Sequence, residues 1–325
     1  MRFGVLLNMG AALGETPEDI FDSTLSQASL AEELHYDELW VTEHHFIRFG
    51  INPSALTTAA FLLGRTHTIR VGTSVVLSPL CHPVELAERT ALLDHLSQGR
   101  FELGLGRGGY RRDYELLDID FTRWDDEPQA TATRLLDIWS TPREPAEIQP
   151  PPRTSPHPSL LMATSSEAGV KCAATNSLAL QHYFATPVAA RTALEKRYRD
   201  ISGADPDHLH TIIAVVNDAP DARERLRAAL RQSFRDGEHP HVPQAPARHF
   251  GPDGAPIDAD AMADMVAAGA IVGSVGYVVD KLGDFIIETG ARRIAVYHEA
   301  IGDAALAMDS LRSFAEHVIP QLAAD

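Results

Sequence analysis

Val41-Thr42-Glu43-His44-His45-Phe46 is the segment around which the chain is organised. It continues Glu38-Leu39-Trp40, and together the two segments form an apolar run of strand-forming residues. A strand that only completes a core does not end in three consecutive ionisable side chains. Successive side chains of a strand point to opposite faces, so only one of His44 and His45 can enter a pocket at the strand end. The segment therefore predicts a buried strand that carries a histidine to a site, with a surface turn as the alternative.

Composition limits the kind of protein and its partners. The chain has 325 residues, of which 44% are hydrophobic, enough for a sizeable core. Its formal charge of -17 argues against nucleic acid or an anionic membrane as the main partner, since both favour a basic surface. Two cysteines, Cys81 and Cys172, are too few for a disulfide framework and favour a reducing compartment. With an apolar N-terminal run too short for a signal peptide, we expect a cytoplasmic protein.

Metal ligation is not indicated by the histidines. The sequence contains no His-Glu-x-x-His motif and no Cys/His cluster at metal-ligand spacing. We therefore expect no metal site.

Short apolar segments alternate with helical segments along the chain. Strands are predicted at 3–7, 38–42, 69–76, 101–106, 159–163, 178–183, 211–216 and 293–297. Helices are predicted from Thr16-Pro17, at 53–63, 83–96, 129–139 and 168–175, from Pro187, and at 221–234, 259–268, 277–289 and 304–322. This alternation is typical of an α/β fold, a (β/α)8 TIM barrel, which we expect to form one domain over residues 1–325. Segment 141–158 is predicted to be a proline-rich insertion, and 238–256 a lid loop.

In such a barrel the active site lies at the carboxyl ends of the strands. Polar side chains follow several predicted strands at that end. They are Asn8, Glu43-His44-His45, Ser74, Arg107 and Ser165-Ser166. We expect these residues to converge on one site.

Gly104-Leu105-Gly106-Arg107-Gly108-Gly109 spells the dinucleotide fingerprint G-x-G-x-x-G. That motif requires an acidic residue at the end of the next strand, and the next acids here lie in an irregular stretch. We interpret the glycines instead as a strand end where a flat ligand can approach the backbone, with Arg107 able to reach an anion. Ser165-Ser166-Glu167-Ala168-Gly169 begins a helix and offers hydroxyl and N–H donors, either for phosphate or as plain N-caps. Together the two segments favour a phosphate site.

Several short motifs follow one another in a characteristic order and spacing. They are Glu43-His44-His45-Phe46, Phe49-Gly50, Val71-Gly72-Thr73, His82-Pro83, Gly99-Arg100-Phe101, and Arg107-Gly108 with Tyr110. In this combination the chain resembles the bacterial luciferase-like flavin monooxygenases, and most of all the luciferase α subunit. The resemblance is dense from residue 1 to about 120, and resumes at 162–174 and 290–320.

The resemblance implies an FMNH2-dependent monooxygenase on a TIM barrel. A flavin reductase would supply the reduced FMN, and molecular oxygen would oxidise a small or apolar organic substrate through a flavin C4a-(hydro)peroxide. The resemblance implies that His44 is the catalytic histidine, with Glu43 and His45 beside it. It implies that Arg107 and Ser166 hold the FMN phosphate and that Ser74-Val75 is a non-proline cis peptide beside the flavin ring. The remaining cofactor-binding positions that it implies are Gly106, Tyr110, Ser165 and Gly169.

Three positions depart from the luciferase α subunit. Gly106 stands where that subunit has a reactive cysteine, Ser165 replaces an acid, and Gly169 lies near a threonine of the family. Whatever the cysteine thiol contributes in the luciferase α subunit is therefore absent from this chain. The resemblance still implies the flavin chemistry.

Two other functions fit the same barrel: an F420-dependent oxidoreductase, and a non-catalytic flavin-binding subunit. The sequence His44-His45-Phe46 and the segment from Arg107 to Tyr110 favour FMN over F420, and an intact His44 beside Glu43 argues against a silent barrel. The predicted helix at 53–63 is apolar on more than one face, which favours a homodimer; burial of that helix by loops is the alternative.

Overall fold

A computed structural model describes residues 1–10, 15–140, 148–238, 249–250 and 256–322. Most of the predicted lid at 238–256, and the first part of the predicted insertion at 141–158, lie outside these residues. The described part of the insertion, 148–158, contains neither helix nor strand.

Parallel strands form the centre of the molecule. In chain order the strands are β1 (Arg2–Leu7), β2 (Glu38–Val41), β3 (Arg70–Thr73), β4 (Val76–Leu77), β5 (Phe101–Gly106), β6 (Ser159–Met162), β7 (Ala179–His182), β8 (Leu209–Ile212), β9 (Ala214–Val216), β10 (His249–Phe250), β11 (Pro256–Ile257), β12 (Ile271–Gly273) and β13 (Arg293–Val296). β1 pairs with β2 and β13, and β5 pairs with β3, β4 and β6. With β7 and β8 completing the ring, the strands close into the predicted eight-stranded parallel barrel, in which β3 and β4 form one staggered position.

Helices surround the barrel. They are α1 (Pro17–Glu33), α2 (Ala55–Arg65), α3 (Pro83–Leu96), α4 (Arg111–Leu116), α5 (Arg123–Ser140), α6 (Glu167–Thr175), α7 (Val188–Ser202), α8 (Ala222–Glu238), α9 (Ala259–Gly269), α10 (Val275–Thr289), α11 (Ala304–Ser313) and α12 (Ile319–Leu322). A π-helical turn, Phe314–Val318, joins α11 to α12. Among the helices that the structure describes, none combines the length and apolar character needed to span a bilayer.

Local capping signals set several helix starts. Thr16 and Asp19 form a reciprocal capping box at the start of α1, where the sequence predicts the helix to begin. The helix predicted from Pro53 begins at Ala55 instead, because the Ser54 side chain accepts the N–H of Thr57 and caps it there.

Two predicted strands are each divided in the structure. The strand predicted at 69–76 breaks at Ser74-Val75 into β3 and β4. In the strand predicted at 211–216, only the first half lies in the barrel, as β8, while β9 pairs with β12 outside the barrel ring. Strand β12 was not predicted. An uninterrupted apolar run does not reveal where a strand changes partner, since its composition is the same on both sides of the change.

Charged side chains fill the amino-terminal end of the barrel. Arg293 donates to Glu38 at 2.8 Å and to Glu102 at 2.6 Å, and all three side chains are buried. Burial raises the pKa of Glu102, but the charges of Arg293 and Arg70 lower it to about 2. Because this paired layer closes one end, a ligand has access to the barrel interior only from the carboxyl ends of the strands.

Candidate active site

A cavity of about 320 Å³ lies at the carboxyl ends of the barrel strands. Its volume is at the lower end of the range for small-molecule sites. Eight of the residues predicted from sequence line it: Asn8, Glu43, His44, Ser74, Val75, Gly106, Arg107 and Tyr110. The strand ends therefore converge as expected, although the described lining does not include His45, Ser165, Ser166 or Gly169.

His44 is held on the cavity wall by a chain of amide contacts. Asn8 Nδ2 donates to the carbonyl of Phe49 at 2.6 Å, which leaves Asn8 Oδ1 facing His44 Nε2 at 3.3 Å. Because Oδ1 can only accept, this contact places the hydrogen of His44 on Nε2. The ring of Phe49 lies edge-on to the imidazole, with 5.1 Å between centroids. An added Cβ on Gly50 would lie 2.5 Å from His44 Cδ2, so the glycine leaves room for the imidazole.

Glu43 connects three segments of the site. Its Oε2 accepts the N–H of Ala55 at 2.8 Å, at the start of α2, and its Oε1 accepts the N–H of Leu77 at 3.0 Å, on β4. The side chain is buried, and both oxygens have backbone partners. Glu43 therefore positions the strand ends on either side of the cavity.

His45 is not part of the described cavity lining and lies beside two carboxylates. Its Nε2 is 3.8 Å from Glu43 Oε1. Burial lowers the pKa of His45, but the hydrogen bond and charge of Glu43 and the charge of Asp113 outweigh it, so that the pKa is raised. Burial raises the pKa of Asp113 to about 7, against the opposing charges of His45 and Arg112. A carboxyl group that exchanges its proton near neutral pH thus lies on the cavity wall.

Asp113 was not predicted from the sequence. It belongs to α4, where Arg111-Arg112-Asp113 has the composition of a solvated helix start, yet its side chain is 1% exposed. Its Oδ1 has no hydrogen-bond partner among the residues that the structure describes. This oxygen is available to a ligand in the cavity.

Ser74 and Val75 form the opposite wall. The peptide bond between them is cis, which confirms the prediction for this bond. Gly106, at the end of β5, faces this wall, and an added Cβ at Gly106 would overlap Val75 Cγ2. The missing side chain at position 106 therefore leaves space that Val75 partly fills.

Arg107 lies at the mouth of the cavity. Its guanidinium carbon is 3.5 Å from the ring centroid of Trp124, in cation–π geometry. Tyr114 donates to the Arg107 carbonyl at 2.7 Å, and Trp124 Nε1 donates to the Gly108 carbonyl at 3.0 Å. These contacts fix the segment after β5 and leave a cation on the cavity wall.

The serines predicted as a phosphate cradle lie at the start of α6. Ser166 is the N-cap and accepts the N–H of Gly169 at 3.1 Å, while Ser165 is exposed. Ala163, immediately before this turn, lines the cavity and donates to the Leu105 carbonyl at 2.8 Å. The helix start therefore lies next to the strand end that carries Arg107, but its hydroxyl already serves as a cap.

A second polar cluster lies between β7, β8 and α7, and one of its members, His182, also contributes to the cavity lining. Glu195 Oε1 is 2.8 Å from His182 Nε2 and 3.2 Å from His210 Nε2, and all three side chains are buried. Their ligand atoms lie within 4.8 Å of one another, close enough to hold a metal ion. Burial lowers the pKa of His182 to about 4, and the hydrogen bonds of both histidines and their charges lower that of Glu195 to about 2 against its burial. The sequence did not predict this cluster, because its members come from separate elements.

Comparison with known proteins places the chain in a family. The sequence model described as luciferase-like monooxygenase matches residues 1–293. The chain is 34% identical over 120 residues to the alkanal monooxygenase alpha chain of Photorhabdus laumondii, covering 37% of this chain and 33% of that one. It is 30% identical over 125 residues to the oxygenase component of the flavin-dependent trigonelline monooxygenase of Acinetobacter baylyi, covering 38% and 35%. The aligned parts thus span about a third of each relative.

The fold agrees over almost the whole chain. The monooxygenase RslO1 of Streptomyces bottropensis superposes with a TM-score of 0.82 at 21% identity, covering 98% of this chain and 99% of that one. Such a likeness shows the fold alone. Since the family model covers most of the chain, and the histidine, arginine and glycine positions converge on one cavity, the protein belongs to the luciferase-like monooxygenase family.

Proposed function

We propose that the chain is the oxygenase of a two-component, FMNH2-dependent monooxygenase that acts on a small or apolar organic substrate. The observation that carries this proposal is that His44, whose Nε2 lies 3.3 Å from Asn8 Oδ1, shares one cavity with Arg107 and the small wall at Gly106. A proton-handling group, a cation for phosphate and room for a flat ring are what a flavin oxygenase needs.

The residues present fit FMN. Arg107 supplies the charge for the phosphate, and the start of α6 at Ser166 supplies N–H groups next to it. Gly106 brings backbone close to the ligand, as a planar ring system requires, with Val75 opposite it. Tyr110 adds an aromatic wall and lies near His44, with 6.5 Å between ring centroids.

Bound reduced FMN would supply the electrons for oxygen activation. The chain's own groups hold and move protons there. His44 carries its hydrogen on Nε2 against Asn8 Oδ1, and Asp113, with a pKa of about 7, can hold or release a proton near neutral pH. Glu43 keeps both strand ends in place through the N–H groups of Ala55 and Leu77.

Water exclusion completes the arrangement. Apolar side chains make up much of the cavity wall, and a site poor in water protects reactive oxygen species from side reactions. The apolar side chains of this wall include Leu6, Phe49, Leu77 and Phe184. We propose an apolar or weakly polar substrate for the same reason.

Partners follow from this chemistry. An oxygenase that takes FMN in its reduced form needs a flavin reductase, in keeping with a relative that is named as an oxygenase component. We also propose a homodimer through α2 and α3, because Phe61 is 53% exposed and Leu92 and Leu96 are 47% and 70% exposed.

The proposal is tested by absorption spectroscopy. Protein mixed anaerobically with reduced FMN and then exposed to oxygen is expected to show a transient absorbing species before oxidised FMN appears. His44→Ala is expected to bind reduced FMN nearly as well as wild type, since the phosphate contacts lie elsewhere, and to lose substrate oxygenation by about 10²–10⁴-fold, the usual share of acid–base catalysis. Oxygen would still be consumed, with release of hydrogen peroxide.

Two results would overturn the proposal. Wild-type protein that shows no transient species with FMN but oxidises reduced F420 is an F420-dependent oxidoreductase. Wild-type protein that binds flavin and turns over neither cofactor is a non-catalytic barrel. An unchanged product yield in His44→Ala would remove His44 from proton handling and leave the cofactor assignment intact.

A further inference from the structure

Gln181 is a buried amide whose polar atoms lack a hydrogen-bond partner among the residues that the structure describes. It lies on β7, its side chain is part of the cavity lining, and it is 3% exposed. Neither its Oε1 nor its Nε2 has a hydrogen-bond partner anywhere in the described ranges. An unpaired buried amide destabilises a folded protein, since it gives up hydrogen bonds to water without replacement. Its retention therefore points to a role outside the folding of the free chain.

The amide lies on the floor of the cavity. An added Cβ on Gly104 of β5 would overlap Gln181 Oε1 and the carbonyl oxygen of Thr73, so the amide extends across the barrel over a position without a side chain. Gly104 precedes Gly106 by two residues, which is roughly 7 Å along a strand. Gln181 is therefore deeper than the wall formed by Gly106 and Val75.

Nearby polar groups are already paired with one another. Thr73 Oγ1 donates to the Gly104 carbonyl at 3.0 Å and accepts the Gly104 N–H at 2.8 Å. Thr211 Oγ1, also on the cavity wall, donates to the His182 carbonyl. The Gln181 amide, part of the cavity lining, keeps an unpaired NH2 group and an unpaired carbonyl oxygen side by side among the described residues.

We propose that Gln181 binds the imide edge of the flavin ring, with its carbonyl oxygen accepting from the ring N3–H and its NH2 group donating to an adjacent ring carbonyl. This inference rests on the proposed function. The isoalloxazine ring has one apolar end, the dimethylbenzene, and one end with alternating N–H and C=O groups. An amide on the floor complements the second end, while the dimethylbenzene end would leave the amide unpaired. Gln181 thus sets which end of the ring enters first.

The test compares FMN with FMN methylated at N3, which lacks the N3–H donor. Dissociation constants of the oxidised flavins are measured by quenching of flavin fluorescence. Wild type is expected to prefer FMN about five- to tenfold, the loss of one neutral hydrogen bond. In Gln181→Leu, affinity for FMN is expected to fall by at least that factor, and the preference between the two flavins is expected to disappear.

Thr211→Val is the matched control. It also changes a polar side chain of the cavity lining, but its hydroxyl is already bonded to the His182 carbonyl. It is expected to keep the wild-type preference for FMN. The melting temperature of flavin-free Gln181→Leu is expected to equal or exceed that of wild type, since the substitution removes an unpaired amide.

Each remaining outcome overturns the inference in a distinguishable way. If Gln181→Leu loses affinity equally for both flavins, or if its melting temperature falls while it still prefers FMN over the methylated flavin, the amide has a structural role. Unchanged flavin binding with a raised KM for the organic substrate assigns it to the substrate. Failure of wild type to bind either flavin removes the proposed function itself, and the inference with it.

Discussion

Val75 is expected to block any side chain larger than a hydrogen atom at position 106. An added Cβ at Gly106 would overlap Val75 Cγ2, while it would lie 3.3 Å from Val75 Cβ and 3.5 Å from Cγ1. Only one methyl group therefore blocks a side chain at position 106. The luciferase α subunit, which the sequence resembles, carries a cysteine at this position, so the pair bears directly on how this chain departs from it.

The magnitude follows from these contacts. Gly106→Ala forces one methyl group into occupied space, and overpacking of this kind costs about 1–3 kcal/mol. Val75→Ala removes two half-buried methyl groups and costs about 1 kcal/mol. In the double variant the two Cβ atoms would be about 3.3 Å apart, which small backbone shifts can accommodate. The double variant is therefore expected to be about 1–2 kcal/mol more stable than the sum of the single losses predicts.

Urea denaturation of the four proteins measures this coupling as a double-mutant cycle. Gly64→Ala in α2 is the matched control, because an added Cβ there meets no atom within 4 Å. It is expected to raise stability by about 0.5–1 kcal/mol, the gain from replacing glycine inside a helix. Additive losses in the cycle, or a Gly106→Ala protein as stable as wild type, would refute the steric reasoning.

Three further outcomes are expected. Arg107→Ala should weaken FMN binding by about 1–3 kcal/mol, the range for a charge-assisted hydrogen bond. In the same titration the affinity for riboflavin, which lacks the phosphate, should stay nearly unchanged. An equal loss of affinity for both flavins would exclude Arg107 from the phosphate site. Light scattering should give a dimer at micromolar concentration that Phe61→Glu disrupts and Ile287→Glu, at an 83% exposed position of α10, does not; a wild-type monomer would contradict the interface. Burial lowers the pKa of His208 to about 4, so the folded protein resists protonation and loses stability as the pH falls from 6.5 towards 4. In His208→Asn the amide oxygen can still accept the Leu180 N–H, which His208 Nδ1 accepts at 2.9 Å in the wild type. When the pH falls from 7 to 4.5, the free energy of unfolding in urea should decrease by about 2–3 kcal/mol less for this variant than for the wild type. Equal decreases in the two proteins would refute this assignment.

The barrel was predictable because its signals are local. Thr16 and Pro17 mark the start of α1 through capping and a preset φ angle, and the structure has both in those roles. Strand β5, predicted at 101–106, has those bounds in the structure, since Gly99 precedes it with a φ of +85° and glycines end it. Where the decisive interaction lies within a few residues, the sequence contains it.

The part of the site that the sequence did not reveal depends on contacts across the chain. Asp113 follows two arginines, a pattern typical of a protein surface. Arg112 Nη2, however, donates to the carbonyl of Phe46 at 2.8 Å, and this bond fixes α4 against the loop that follows β2. That contact joins positions 66 residues apart. Burial then raises the pKa of Asp113, so its chemistry results from packing that no local pattern records.

Two adjacent pairs show how far strand alternation can carry a prediction. Gln181 and His182 lie in β7, where the Gln181 amide extends across the barrel and the His182 imidazole bonds to Glu195 of α7. His44 and His45 follow the end of β2, where His44 lines the cavity and His45 pairs with Glu43. Alternation predicts that one member of such a pair enters the barrel, but it does not decide which. The choice depends on the partner that the other member finds. His45 pairs with Glu43 and Asp113, and His182 pairs with the carboxylate of Glu195. A polar residue in a buried strand is therefore a candidate for the site once its neighbour's partner is known, and Gln181 qualifies because the His182 imidazole is already bonded to Glu195.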